Sequence, residues 1–182
     1  MSPTVRPLFL EDADALIALR AEALRSAPFA FAASPEDDPG FSPNAVRASL
    51  SGSEPSAVFG AFDGAALVGM VGVVQLNRRK ARHNALIWGM YVSAKARRSG
   101  AGAALLAAAI ERACIWAEVI QVHLAVSDAA PEARRLYERA GFREWGAEPR
   151  ALQWEGRFVA EHHMVLDLEA ALTNPPERNT IQ

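Results

Sequence analysis

Apolar residues recur along this chain with two spacings, every second residue and every third to fourth, and their succession predicts a series of strands and helices. Residues 4–8 read as a short strand whose pairing Pro7 restricts. Glu11-Asp12-Ala13-Asp14 then opens a helix with carboxylates in its first turn, where the macrodipole favours them. Ala15, Leu16, Leu19, Ala23 and Leu24 give that helix an apolar face, and Pro28 marks its end. Residues 27–41 form a loop carrying Phe29, Phe31, Phe41 and the acidic run Glu36-Asp37-Asp38. Ser42-Pro43 opens a short helix to Leu50, with proline at its first position.

Three strands follow. Residues 57–62 run into Asp63-Gly64, a hairpin signal, and 66–76 form the return strand. Gly69 and Gly72 in that strand mark a bulge or a close backbone approach. Residues 85–92 form the third strand, with Leu86, Trp88, Met90 and Val92 expected on one face. A helix over 103–117 carries Leu105, Leu106, Ala109, Ile110, Ala113 and Trp116 on one side. Residues 119–126 read as a strand, and Pro131 opens a helix to Ala140 with Gly141 behind it. Residues 142–146 read as irregular or a short strand. Residues 151–154 and 157–168 read as a closing hairpin turning at Glu155-Gly156.

The predicted order is β-α-α-β-β-β-α-β-α-β-β. Alternation around a central hairpin implies an α/β (mixed α+β) domain, its mixed sheet carrying helices on both faces. One domain is expected over residues 1–170. Residues 171–182, polar and containing Pro175-Pro176, are expected to be a disordered tail.

The 182 residues suffice for one domain with a full core, and a net charge of −2 offers no electrostatic reason for nucleic acid or anionic membrane as a partner. The N-terminus has no apolar signal-peptide core and no segment reaches the length of a membrane span, so a cytoplasmic protein is the expectation. The single cysteine, Cys114, permits no internal disulfide and is expected to be buried and inert. The four histidines have no zinc spacing, and His162 and His163 point to opposite faces of one strand, so no metal is expected.

Chemistry concentrates at Arg97-Arg98-Ser99-Gly100-Ala101-Gly102, between a strand and a helix. The first amides of a helix have no partner within it, and the macrodipole adds positive charge there. Glycine lets a ligand approach the backbone, so a phosphate fits this position. No Lys-Ser or Lys-Thr follows, which excludes a Walker loop, and Leu105 occupies the third glycine position of a dinucleotide fingerprint. A glycine-eased turn that binds nothing is the alternative.

Together with the order of elements, two motifs make the chain resemble the GCN5-related N-acetyltransferase (GNAT) superfamily from about Val5 to Leu168. Arg97, Gly100 and Gly102 match its R-x-x-G-x-G/A turn, and Ala133, Leu136, Tyr137, Gly141 and Phe142 match its A-x-x-L-Y-x-x-x-G-F segment. The resemblance implies a mostly antiparallel sheet splayed at its centre, with acetyl-CoA as cosubstrate. It implies that Met90, Tyr91 and Val92 pair with the pantetheine arm, and that the backbone of Arg98, Ser99, Gly100, Ala101, Gly102 and Ala103 takes the pyrophosphate, with Arg97 adding charge at the rim. It implies direct transfer of the acetyl group to a primary amine of a small molecule or peptide. Homodimers are common in the superfamily.

Tyr137 is the candidate acid for the departing thiolate, since a phenol with a pKa near 10 stays protonated at neutral pH. The alternative is a packed ring whose hydroxyl is satisfied by backbone. The Val92 amide is the implied oxyanion donor. The strand 85–92 lacks the glutamate many relatives carry, leaving Glu161 and His83, or water, as candidate base. Ala130 replaces an asparagine that often contacts the cofactor. These two departures favour a rival reading, a non-catalytic acyl-CoA-binding sensor or interaction module.

Overall fold

In a computed structural model, which describes residues 3–38, 42–51 and 55–169, the predicted order of elements is present. The strands are β1 (Thr4–Pro7), β2 (Ser56–Asp63), β3 (Ala66–Gln75), β4 (Asn84–Val92), β5 (Gln121–Ser127), β6 (Arg143–Trp154) and β7 (Arg157–Asp167). The helices are α1 (Ala13–Ser26), α2 (Pro43–Leu50), α3 (Ala101–Ile115) and α4 (Pro131–Arg139). Phe41 and the tail expected over 171–182 lie outside the described residues.

The strands form one seven-stranded sheet in the order β1-β2-β3-β4-β5-β7-β6. Only β4 and β5 are parallel, because α3 supplies the crossover between them; every other pair is antiparallel. Pro7 sits on the edge strand β1, where a missing N–H does no harm.

Two hydrophobic clusters sandwich the sheet. On one face α3 buries Ala101, Leu105, Leu106, Ala109 and Ala113 against Val71, Val73, Val122 and Met164. On the other, α1 buries Leu16, Leu19, Ala23 and Leu24 against Val58, Met70 and Tyr91. Ala15, expected on the buried face of α1, is exposed, and Ala13 is buried in its place.

The sequence pattern misjudged four details. First, β6 is a single 12-residue strand rather than two short pieces. Register shifts between Glu144 and Gly146 and between Glu148 and Leu152 leave Trp145 and the stretch containing Pro149 outside the regular pairing while the strand continues. Second, α3 starts at Ala101, so Ala101, Gly102 and Ala103 already belong to its first turn. Third, Cys114 is exposed rather than buried, in the last turn of α3. Partial desolvation still pushes its pKa up, which keeps it a thiol. Fourth, β4 does not keep one alternation. Ala85 and Ile87 pack on the α3 face, and so do Met90 and Val92, while Tyr91 packs under α1. The reversal lies at Gly89 (φ +64°), where two residues of β4 oppose one of β3 between the pairs Gly72–Trp88 and Met70–Tyr91. Leu86 and Trp88 therefore do not share a face with Met90 and Val92.

Candidate active site

The parallel strands β4 and β5 pair at three positions only, Asn84–Gln121, Ala85–Val122 and Leu86–His123. His123 Nε2 lies 3.1 Å from Asn84 Oδ1, and the His83 carbonyl accepts the Ile120 and Gln121 amides, so this end is held shut. Beyond Leu86 the strands separate, and the bulge at Gly89 bends β4 away. A narrow cleft of about 70 Å³ opens between them, with Trp88, Met90, Ser127, Ala130 and Tyr137 among its walls and Phe31 at its side. This is the central splay that the resemblance implied.

At its mouth β4 ends with the Ser93 amide donating to Val68 O at 2.8 Å, toward β3. Successive strand amides point to alternate sides, so the Val92 N–H points away from β3, toward the opening. Met90 and Val92 turn their side chains to the α3 core. The Tyr91 hydroxyl donates to Glu22 Oε1 at 3.0 Å and lies 2.8 Å from Ser26 Oγ, so its side chain ties α1 to β4.

The turn that follows has two left-handed residues, Arg98 (φ +64°) and Gly100 (φ +87°). An arginine at positive φ is uncommon and shows a tightly determined backbone. Arg97 Nε donates to Val92 O at 3.3 Å, while Arg98 is exposed. Ser99 Oγ donates to Ala96 O at 2.7 Å and braces the turn. A Cβ on Gly100 would meet no atom within 4 Å, so the surface there is open to a ligand. The Ala104 amide takes the Gly100 carbonyl, whereas the Gly102 and Ala103 amides have no protein acceptor among the described residues. This geometry fits a phosphate group.

Tyr137 reaches the cleft from α4. Its ring packs edge-on against Phe142 at 6.0 Å, and burial pushes its pKa up to about 12. Its hydroxyl has no hydrogen-bond partner among the described residues, so the backbone satisfaction considered above is absent. Ala130 caps α4 without a side-chain hydrogen bond and lines the cleft.

Glu161 lies on β7 opposite Ser127, which lines the cleft, and opposite Glu148 on β6. Desolvation raises its pKa, Glu148 adds to the rise and His163 opposes it. It does not itself line the cleft. His83 sits beyond the closed end of β4. His162 Nδ1 approaches Glu144 at 3.1 Å and His163 Nε2 approaches Glu148 at 3.5 Å, on opposite faces as expected. In the acidic run Glu36 and Asp37 are exposed and only Asp38 is buried. Asp37 accepts from the Ser34 amide at 2.6 Å, and Asp38 is buried against Arg20 at 2.7 Å.

Sequence reasoning missed the bulge at Gly89 and the left-handed Arg98, whereas Phe31, one of the loop phenylalanines that could wall a pocket, does line the cleft. A glycine inside a strand pattern was the available signal for the first. It was attached instead to Gly72, which accommodates the Trp88 indole, and to Gly69, where a Cβ would meet Leu105 Cδ1 at 2.9 Å and which flanks a register shift against β2.

The sequence profile of the acetyltransferase (GNAT) family matches residues 17–142. No curated protein matches the sequence. Several solved structures share the fold. A GCN5-related N-acetyltransferase from Kribbella flavida is 26% identical, with a TM-score of 0.77 over 92% of this chain and 98% of that one. A GNAT superfamily phosphinothricin acetyltransferase from Sinorhizobium meliloti, in complex with acetyl-CoA, is 22% identical, with a TM-score of 0.80 over 97% and 95%. A GNAT family acetyltransferase from Streptococcus pneumoniae is 21% identical, with a TM-score of 0.79 over 91% and 99%.

Proposed function

Because the chain belongs to the acetyltransferase (GNAT) family, whose members use acetyl-CoA, we propose that it acetylates a primary amine of a small molecule or peptide by direct attack in a ternary complex. The observation that carries this reading is the cleft opened by the Gly89 bulge, with unpaired amides at its mouth and an unpartnered tyrosine hydroxyl in its wall.

Acetyl-CoA supplies the acetyl group as a thioester. The exposed backbone of Met90 to Val92 offers an edge for its extended arm, and the amides of Gly102 and Ala103 offer donors for its pyrophosphate. The Val92 N–H polarises the carbonyl and stabilises the oxyanion that forms as the amine nitrogen adds. Tyr137 Oη gives its proton to the sulfur as the carbon–sulfur bond breaks. The proton released by the amine goes to water or to Glu161, whose raised pKa suits a base.

Calorimetric titration with acetyl-CoA, using ATP and NAD as controls, tests the cofactor. Saturable binding of acetyl-CoA alone is expected, and its absence overturns the reading. Release of free CoA with an amine panel then separates catalysis from the rival binding module, which would bind acetyl-CoA without accelerating release. Ala130 is the observation that favours the rival, since α4 presents no side-chain donor there. The missing contact is worth about 0.5–1.5 kcal/mol, which weakens binding without abolishing it.

A further inference from the structure

A second and larger cavity, of about 350 Å³, lies between the sheet and the helices α1 and α2. Its floor is Val58, Met70 and Gly72, and its roof includes Ala45 and Val46 of α2. Trp88 and Gly89 line both this cavity and the cleft, so the two meet at the β4 bulge. Gly72 is part of the reason the space exists. A Cβ there would collide with the Trp88 indole, which lies across the glycine as its cross-strand partner.

The walls are apolar except at one end, where Arg20 and Asp38 enter together with Ser49. Arg20 Nε binds Asp38 Oδ2 at 2.7 Å, and the Asp38 side chain is 4% exposed. The Arg20 guanidinium also lies over the Phe31 ring at 4.9 Å. Among the described lining residues the two charged ones, Arg20 and Asp38, are paired with each other. The cavity has the size of a small-molecule site and gives a ligand apolar contact without net charge.

We propose that this cavity holds the body of the acceptor, and that the acceptor is a primary amine bearing one bulky apolar group, aliphatic or aromatic. The apolar group lies under α2, and the amine passes the Gly89 bulge to reach the cleft. Among the described residues a polycation finds no carboxylate on these walls beyond the one paired with Arg20, and a very small amine leaves them unfilled. The proposal rests on the reading of the cleft as the acetyl-transfer site.

The test compares CoA release from acetyl-CoA with phenethylamine, isoamylamine, ethanolamine and spermidine. Ala45, exposed on α2 at the cavity wall, is replaced in two variants, A45W to fill the space and A45S as a conservative control. The wild type is expected to favour the two apolar amines in kcat/KM by at least about tenfold. A45W is expected to lose about tenfold on those amines relative to ethanolamine, with acetyl-CoA affinity unchanged and the wild-type order of amines kept in A45S. Equal use of all amines, preference for spermidine, or an A45W effect shared by every amine overturns the proposal. Calorimetry of phenethylamine with wild type and A45W, in the presence of CoA, reads the cavity without turnover. Binding lost only in A45W supports the proposal, and equal or absent binding overturns it. Failure of acetyl-CoA to bind at all is the separate failure of the cleft reading.

Discussion

Tyr137 stands in two environments at once. Its ring is sealed against Phe142 and the α3-face core, while its hydroxyl, on the cleft wall, has no hydrogen-bond partner among the described residues. The apolar surroundings disfavour the phenolate and hold the pKa up to about 12, so the proton is present across the working pH range. Tyr137→Phe keeps the ring and removes only the proton donor. In stopped-time assays of CoA release kcat is expected to fall about a hundredfold, with acetyl-CoA affinity by calorimetry nearly unchanged. Unaltered kcat would remove the acid role. Burial of the neutral phenol also couples to folding. The folded pKa lies above the unfolded value near 10, so this contribution is complete below pH 10 and is lost as pH rises through about 12.

At the scale of elements, the decisive piece is β4, a strand with a deliberate fault. Gly89 at φ +64° and Gly100 at φ +87° are both left-handed; a Cβ on Gly89 would make only an ordinary contact with Arg20 Nη1 at 3.6 Å, and one on Gly100 would meet no atom within 4 Å. Alanine at either position therefore suffers from backbone strain alone, about 1–2 kcal/mol by urea denaturation. Gly146, with open space and no positive φ, is the control, and Gly146→Ala is expected to be close to neutral. Of the two strained variants, Gly89→Ala is expected to weaken acetyl-CoA binding out of proportion to its stability loss, because straightening β4 narrows the cleft. Equal affinity for Gly89→Ala and wild type would mean that the bulge does not hold the cleft open. Much at this scale was legible beforehand. The helical faces of α1 and α3, the Glu155-Gly156 turn and Pro131 at the start of α4 follow from local rules. The bulges were legible only in part: Gly69 and Gly72, read as bulge signals, flank register shifts, whereas Gly89 was not read, because a register shift is a property of two strands, and one strand's pattern does not contain its partner. Gly146 and Pro149 look like strand breakers until β7 is seen pairing across them.

Across the whole molecule, carboxylates pin segments that are distant in the fold. Asp12 receives both Arg6 nitrogens at 2.7 Å and the Phe9 amide at 2.9 Å, which ties β1 to the entry of α1. The Arg6 hydrogen bonds hold its pKa below the usual carboxylate range, assisted by the Phe9 amide against a desolvation cost. A depressed folded pKa contributes stability above the unfolded value near 3.9, lost as pH falls through the folded pKa. The urea midpoint is therefore expected to be flat from pH 7 to 5 and to fall below pH 4. In Asp12→Asn the midpoint should be lower at pH 7 and its acid decline shallower. An unchanged acid slope would show that Asp12 is not among the groups responsible.

The order of elements, the amphipathic faces and the glycine turn were determined by the sequence alone, because each depends on residues near one another along the chain. Arg97, Gly100 and Gly102 could be singled out because a strand-turn-helix keeps its chemistry within a short segment, and Tyr137 because the segment that carries it resembles the GNAT motif. Only the tertiary structure decided that β4 and β5 part after three pairs, that Tyr137 Oη lacks a partner, and that Asp38 is buried against Arg20. The same holds for the cavity where Gly72 yields to Trp88. These features depend on which distant residues share space. Local propensity carries no record of that, since it arises when the sheet assembles and its two faces are covered.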